Sequence, residues 1–256
     1  MARNQLTLLL TLLDDVYYLP EWAECARRLW PEQLLVVDGG SRDGGPEFLA
    51  SRTLPNLQIV HHPMEKVRWH YSAQLNYALR LVRNDWVLLL DADEVLWPPD
   101  RRLLDHAISR RGRRAVSLWL ARLHLWPGDR TRLNWGENLD PQPRLWKRQA
   151  GIRWVNKVHN LQQLDGEILW WTAPRAELLE MPVILHRKLT APYELRLARH
   201  RRWRKHWARA SARAGIPIPK EMPDDYGPTL PLPRDMTDWR GKLMGKTPAP
   251  GQRTRL

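Results

Sequence analysis

The stretch Val36-Val37-Asp38-Gly39-Gly40-Ser41-Arg42-Asp43-Gly44 is answered about fifty residues later by Leu88-Leu89-Leu90-Asp91-Ala92-Asp93-Glu94. Each starts as an unbroken apolar run and ends on acid. Unbroken runs mark strands buried on both faces, as in a parallel sheet covered by helices. In such open α/β sheets ligands bind beyond the carboxyl ends of the strands. Gly39 and Gly40 let the chain turn tightly there and bring the backbone close to a ligand. Asp91 and Asp93 stand two apart, so an extended segment would point both to one side. Two carboxylates so placed suit Mg²⁺ or Mn²⁺, with phosphate oxygens completing the shell.

Outward from these motifs, apolar runs and helical stretches alternate. Strands are expected over 5–13, 33–37, 58–61 and 86–90. Helices are expected over 20–29, 45–52, 72–82 (with Ser72 as its cap) and 99–109. The alternation predicts an α/β fold with a mostly parallel, Rossmann-like sheet flanked by helices. After Arg113 the pattern changes to a long, half-alternating stretch over 115–125 and short strand candidates over 144–147, 152–158 and 183–186. Segments 161–164 and 167–171 flank a hairpin signal at Asp165-Gly166, and Pro127-Gly128-Asp129 reads as a turn. A long helix rich in Arg follows over 192–214. The expected organisation is residues 1–113 as one half of a domain, 114–215 as a small β-containing half ending in the basic helix, and 216–256 as a tail. That tail carries eight prolines in 41 residues and reads as extended.

The 256 residues suffice for a full core, and 43% hydrophobic content excludes general disorder. The single cysteine, Cys25, excludes a disulfide framework and a thiolate zinc site. The apolar run 8–13 is too short for a membrane span, so a cytoplasmic protein is expected. Net charge is +13, carried by 33 Arg against 8 Lys. That balance is either compositional habit or the mark of a polyanionic partner, such as nucleic acid, an anionic lipid face or a phosphorylated substrate. The helix carries Arg196, Arg199, Arg201, Arg202, Arg204, Lys205, Arg209 and Arg213, with Trp203 and Trp207 four apart on one face to dock it. It is either a solvated face or a contact surface for an anionic polymer.

Taken together, these motifs resemble a family 2 glycosyltransferase of the GT-A fold, from about Leu6 to Trp207. Leu13-Asp14-Asp15 ends the first strand where the family often has Asn-Glu. Asn76-Tyr77-Ala78-Leu79 resembles Arg-Asn-x-Ala-Leu, with Leu75 for Arg. Pro143-Arg144-Leu145-Trp146 resembles one subgroup's Pro-Arg-Leu-Phe, and Lys157-Val158-His159-Asn160 its Val-His-Glu, with Asn for Glu. The resemblance implies a nucleotide-sugar donor, with UDP favoured. Leu12, Asp14, Asp15, Asp38, Gly39, Ser41, Asn76, Asp91 and Ala92 would line the donor site. Asp91, Asp93 and His186 would hold Mn²⁺ or Mg²⁺. Arg144, Trp154, His159 and Asn160 would face the acceptor. It further implies inverting transfer to an acceptor hydroxyl, on a glycan or a lipid-linked saccharide; the +13 charge and the 15 tryptophans fit a second acceptor class, a hydroxylated base in DNA. An amide takes no proton near neutral pH, so with Asn160 in place of Glu the base falls to Asp140, Glu137 or Glu94.

Two other readings remain. Phosphatases of the haloacid dehalogenase type also carry strand-Asp-x-Asp, but at the end of the first strand, and they lack the Asp-Gly-Gly-Ser motif. A degenerate, non-catalytic module that binds nucleic acid would explain Asn160 and the missing Arg, but not the intact Asp91 and Asp93.

Overall fold

The computed structural model describes residues 5–126, 129–134, 140–213 and 229–231. Glu137 and most of the tail lie outside the described residues. Strands β1 (Leu6–Leu12), β2 (Gln33–Asp38), β3 (Leu57–His61) and β4 (Trp86–Leu89) alternate with helices α1 (Leu19–Leu29), α2 (Gly45–Ala50) and α3 (Tyr71–Leu79). Then come β5 (Glu94–Trp97), α4 (Arg101–Arg111), β6 (Ser117–Trp126), β7 (Asp129–Asn134) and β8 (Asp140–Lys147). A small antiparallel sheet, β9 (Arg153–Val155), β10 (Leu161–Leu164) and β11 (Glu167–Ile168), precedes β12 (Ala176–His186), α5 (Tyr193–Arg213) and β13 (Thr229–Pro231).

The large sheet runs β13-β7-β6-β8-β4-β1-β2-β3, with β12 beside β6 and β5 beside β12. Its β4-β1-β2-β3 half is parallel throughout, as the apolar runs predicted. The other half corrects the expectation of a mostly parallel sheet. β8 joins β4 antiparallel, β6 and β7 continue antiparallel, and only β12 runs parallel to β6. The physical reason is connection length, because antiparallel neighbours need no helical crossover.

Alternate residues of the central strands feed two cores, as a period of two requires. Leu8, Leu10, Leu34, Val36, Leu88 and Leu90 pack under α1 and α4 with Trp22 and Leu104. Leu9, Leu35, Val37, Val87 and Leu89 pack under α3 and the small sheet. Cys25 is buried in the first core. Pro20 in the first turn, Glu21 beside it and Arg27 and Arg28 in the last turn place α1 as read. α3 starts one residue earlier than expected. Its cap is His70, whose ring accepts from the Ala73 amide, while Ser72 donates to the Val155 carbonyl and ties the small sheet to α3. The Asp165-Gly166 hairpin forms as read. Among the described residues no helix is long and apolar enough to cross a membrane.

This register brings the carboxyl ends of β1, β2 and β4 to the same end of the sheet as the ends of β6 and β12. Asp14, Asp15, Asp38, Asp91, Asp93, His124 and His186 follow or close those strands.

Candidate active site

Asp38 ends β2 and organises its own loop. Its Oδ1 accepts from the Ser41 amide at 2.9 Å, and its Oδ2 from the Gly40 amide at 3.2 Å and the His61 ring at 2.8 Å. Gly40 takes φ +94°, which only glycine adopts without strain. A side chain on Gly39 would meet Met64 Cγ at 3.0 Å and the Leu12 carbonyl at 3.2 Å. Ser41 Oγ accepts from the Asp14 amide, and Asp14 Oδ1 from the Arg42 amide at 2.7 Å. Leu12, buried, accepts from the Gly39 amide at 2.7 Å. The ends of β1 and β2 are therefore laced into one rigid rim.

Residues 91–93 form a tight turn rather than an extended segment, closed by Glu94 N–H to the Asp91 carbonyl at 2.9 Å. The expectation that Asp91 and Asp93 share one side is corrected by their partners. Asp91 accepts from Tyr71 Oη at 3.1 Å and from Arg144 Nη2 at 2.6 Å. Asp93, 2% exposed, accepts from Arg199 Nη1 at 2.7 Å, and its same Oδ2 lies 3.4 Å from His186 Nε2. The antiparallel pairing of β5 with β12 places Glu94 across from His186, and the Arg187 amide donates to the Asp93 carbonyl.

Behind this pair runs a chain of titratable groups. His186 Nδ1 shares a hydrogen bond of 2.7 Å with His124 Nδ1, and His124 Nε2 lies 3.4 Å from Asp140 Oδ2. Asp140 also accepts from Arg122, and from Gln142 at 2.6 Å. Burial opposes charge on Asp140, but His124 and Arg122 outweigh it and hold the carboxyl well below the usual carboxylate range. Asp93 is also held well below its ordinary value, burial being overcome chiefly by Arg199. Burial drives the His186 imidazole well below its ordinary value despite Asp93. A neutral imidazole is the form that can bind a metal.

Residues 14–116 match the family described as Glycosyl transferase family 2. The matched segment carries both acidic motifs. A mannosyltransferase of Pyrobaculum calidifontis, solved with GDP-Man and Mn²⁺, is 15% identical with a TM-score of 0.50, over 87% of this chain and 67% of its own. That likeness is one of fold, and the GT-A architecture is the one the motifs implied. S. aureus TarS is 16% identical, with a TM-score of 0.41, over 59% of this chain and 30% of its own. A TPR repeat-containing protein of Synechococcus elongatus is 32% identical over 108 residues, which are 41% of this chain and a quarter (25%) of that protein.

Several residues of the family 2 motifs have structural partners. The Asn76 amide is fully engaged with the Trp154 backbone, donating at 2.8 Å and accepting at 3.0 Å, so it holds the small sheet. Trp154, 3% exposed, packs edge-on against Trp146 in the second core and offers no face to an acceptor. Arg144 lies beneath the turn, bridging Asp91 and Glu94. The Ala92 carbonyl accepts from Arg187. His159 shares a 2.6 Å hydrogen bond with Ser211 and so tethers α5. Asn160 Oδ1 is buried without a hydrogen-bond partner among the described residues.

Sequence reading put Arg199 and Arg202 on the basic face of α5 as part of a candidate contact surface for an anionic polymer, and the structure turns both inward onto the acidic ends of the strands. Arg202 donates to Asp14 Oδ2 at 2.8 Å and to the Leu13 carbonyl at 2.9 Å. Their spacing of three was visible, but which face of α5 turned inward was not. Trp207 docks that helix as expected, donating to the Trp69 carbonyl at 2.8 Å.

Asp15 lies against Arg199 at 3.6 Å. Burial, opposed by Arg199 and reinforced by Asp93, raises its carboxyl from 3.8 to about 6. A carboxyl raised in the folded state lends its stability below the unfolded value and loses it as pH rises through the folded one. Asp15→Asn, which stays neutral, is therefore expected to raise unfolding free energy by about 3 kcal/mol at pH 8 and by nothing below pH 4. Urea melts at the two pH values check this, and an equal effect at both would refute it.

Proposed function

We propose that this protein transfers a sugar from a nucleotide diphosphate sugar to an acceptor hydroxyl, using a divalent cation. The observation that carries the reading is the approach of His186 Nε2 to within 3.4 Å of Asp93 Oδ2, the oxygen that also holds the positive charge of Arg199 at 2.7 Å. Among the described residues no three His, Cys, Asp or Glu side chains form a ready-made cage. Two protein ligands still fit Mg²⁺ or Mn²⁺, which keep waters and take substrate phosphates for the rest of the shell. Asp93 and His186 would hold the ion, while Asp91 is held by Arg144 and Tyr71. Bound there, it would neutralise the departing diphosphate.

The rim of Asp14, Asp38 and Ser41 would receive the nucleoside, with UDP favoured by the family resemblance and GDP the competitor. In the transfer an acceptor oxygen forms a bond to the anomeric carbon as the bond to phosphate breaks. The electron pair leaves with the nucleotide diphosphate, and the acceptor proton passes to a base, with inversion. Glu94 is 0% exposed beneath Arg122 and Arg144, so it is sealed from an acceptor. Asp140, 32% exposed, is the base we propose. Its pairing with Arg122 weakens it as a proton acceptor, and that pairing must loosen when the acceptor binds. Release of UDP or GDP from a panel of nucleotide sugars, with Mn²⁺ and with chelator, tests the reading. Mn²⁺-dependent release from one donor class supports it, and no release from any donor contradicts it.

The acceptor class has its own observation. Arg201, Lys205, Arg209 and Arg213 are all exposed and spaced by four, so they form one stripe on the outer face of α5. A stripe of about 18 Å suits a polyanionic acceptor or carrier, DNA with a hydroxylated base among them. Retention on duplex DNA should weaken steeply with salt. Reversing Arg201, Lys205 and Arg209 to Glu should flatten that slope by about three phosphate contacts. A flattening by Arg113→Glu and Arg114→Glu instead would move the contact to the opposite end of the sheet. There Arg110, Arg111, Arg113 and Arg114 line a cavity of about 510 Å³ with Glu177. An unchanged slope in both would return the acceptor to a neutral glycan or lipid-linked saccharide.

A further inference from the structure

The inward face of α5 makes a different set of contacts from its outer stripe. Arg199 and Arg202, one turn apart, reach across to three carboxylates on two segments, the adjacent Asp14 and Asp15 after β1 and Asp93 in the turn after β4. Arg199 binds Asp93 at 2.7 Å and approaches Asp15 at 3.6 Å, and Arg202 binds Asp14 at 2.8 Å and approaches Asp15 at 3.9 Å. Both arginines are largely buried, with side-chain exposures of 18% and 20%. The Tyr18 ring supports the Arg199 guanidinium from 5.7 Å. These are charge-assisted contacts in a poorly solvated place, where unbalanced charge is expensive.

Two features of this cluster point beyond simple fold stabilisation. First, Arg199 and the proposed cation compete for one atom, Asp93 Oδ2. Two positive groups on one oxygen repel each other, so a cation bound at Asp93 Oδ2 favours release of Arg199. Second, three carboxylates and two guanidiniums carry one net negative charge. A divalent cation alone would turn that to one positive, and the two negative charges of a nucleotide diphosphate sugar alone would make it three negative. Both together restore one negative. The displaced guanidinium then needs an anion in reach, and its planar fork matches phosphate oxygens.

We propose that Arg199 is an exchangeable counter-ion of the donor-site carboxylates, passing from Asp93 to the donor's diphosphate as a divalent cation takes its place, while Arg202 stays beside it on Asp14. α5 is built for this. Trp203 and Trp207, the Trp207–Trp69 hydrogen bond and the His159–Ser211 contact fix its C-terminal half, one to three turns beyond the arginines. Its first turn leaves Tyr193 and Leu195 about half exposed (50% and 48%). The consequence is obligatory cooperation, in which cation and nucleotide each bind weakly alone and tightly together. This inference rests on the donor-site reading above and adds how that site is loaded.

The test is calorimetric titration of Mn²⁺ alone, UDP or GDP alone, and each nucleotide with Mn²⁺ present, on the full chain and on Arg199→Ala and Arg199→Lys. For the unaltered protein the exchange predicts at least about tenfold tighter nucleotide binding with Mn²⁺ than without. Arg199→Ala should bind Mn²⁺ alone about tenfold more tightly and nucleotide with Mn²⁺ about tenfold more weakly. Arg199→Lys keeps the charge and loses the fork, so Mn²⁺ affinity should stay near that of the unaltered protein while nucleotide affinity falls severalfold. Circular dichroism confirms that each variant is folded. If Arg199→Ala weakens nucleotide and leaves Mn²⁺ affinity unchanged, Arg199 is a phosphate ligand only and the exchange is wrong. If it tightens Mn²⁺ and leaves nucleotide unchanged, Arg199 only blocks the site, and the exchange is equally wrong. Nucleotide binding indifferent to Mn²⁺ overturns the exchange while sparing the nucleotide site. Absence of any nucleotide binding in the unaltered protein overturns both.

Discussion

Arg144→Met lowers the unfolding free energy by about 3 kcal/mol at pH 8, the low end of what breaking a buried ion pair costs. Arg144 is the shared partner of Asp91 and Glu94, at 2.6 and 2.7 Å, and Glu94 has no solvent to fall back on. Met fills the space but leaves both carboxylates short of a cation. Arg122, 3.1 Å from the same Glu94 oxygen, keeps the loss from being larger. Burial already raises the Glu94 carboxyl against the pull of both arginines. Removing one raises it further, so the variant can recover stability by taking up a proton. The penalty should therefore shrink towards pH 5 and grow towards pH 8. Adding Glu94→Leu should restore most of the loss, because replacing a whole buried pair by apolar groups is often neutral. Chemical denaturation of the single and double variants at both pH values measures this. A loss below about 1 kcal/mol at pH 8, or the same loss at both, would show that Arg144 does not hold these carboxylates.

On the proposed function, Asp93→Ala is expected to lower kcat for sugar transfer at least about a thousandfold. A metal ion supplies several kcal/mol to a developing charge, and every 1.36 kcal/mol is tenfold in rate. His186 alone would hold a hard cation poorly, and Asp91 is committed to Arg144 and Tyr71. The fold should tolerate the change, because Arg199 retains Asp15 as a counter-charge. Steady-state kinetics with a donor identified by nucleotide release, alongside a thermal melt, separate the two effects. A variant that keeps more than about a tenth of the rate would show that the metal is held elsewhere or not needed.

The parallel half of the sheet was legible because every central strand is buried on both faces and writes an unbroken apolar run, as at Leu34-Leu35-Val36-Val37. The carboxyl-end motifs were legible for the same reason, since acid directly after such a run has few structural explanations. The antiparallel half was harder to read. β8 mixes Pro141, Gln142 and Pro143 with Leu145 and Trp146, and β12 is interrupted at Pro182, between the two registers in which it pairs with β6. The partners of the site residues were hidden altogether. Asp91 and Asp93 look equivalent in sequence, and only the turn at Ala92 and the opposite strands separate them. Asn76 and Trp154 look free in sequence but satisfy each other's segment in space. His124 sits in an apolar run, where nothing local shows that it meets His186. The arginines of α5 form one charge run in sequence, but a helix of 3.6 residues per turn divides them between two faces. Two of them, Arg199 and Arg202, belong to the site and not to the solvated surface.

Calorimetric titration of UDP and of GDP into the full chain, once with Mn²⁺ and once with EDTA, tests the central claim most directly. That claim is that the carboxylates ending β1 and following β4 form a cation-dependent nucleotide diphosphate site. The account predicts that one of the two nucleotides binds with Mn²⁺ and that EDTA removes most of that binding. Binding of neither, or binding that EDTA leaves untouched, would contradict it.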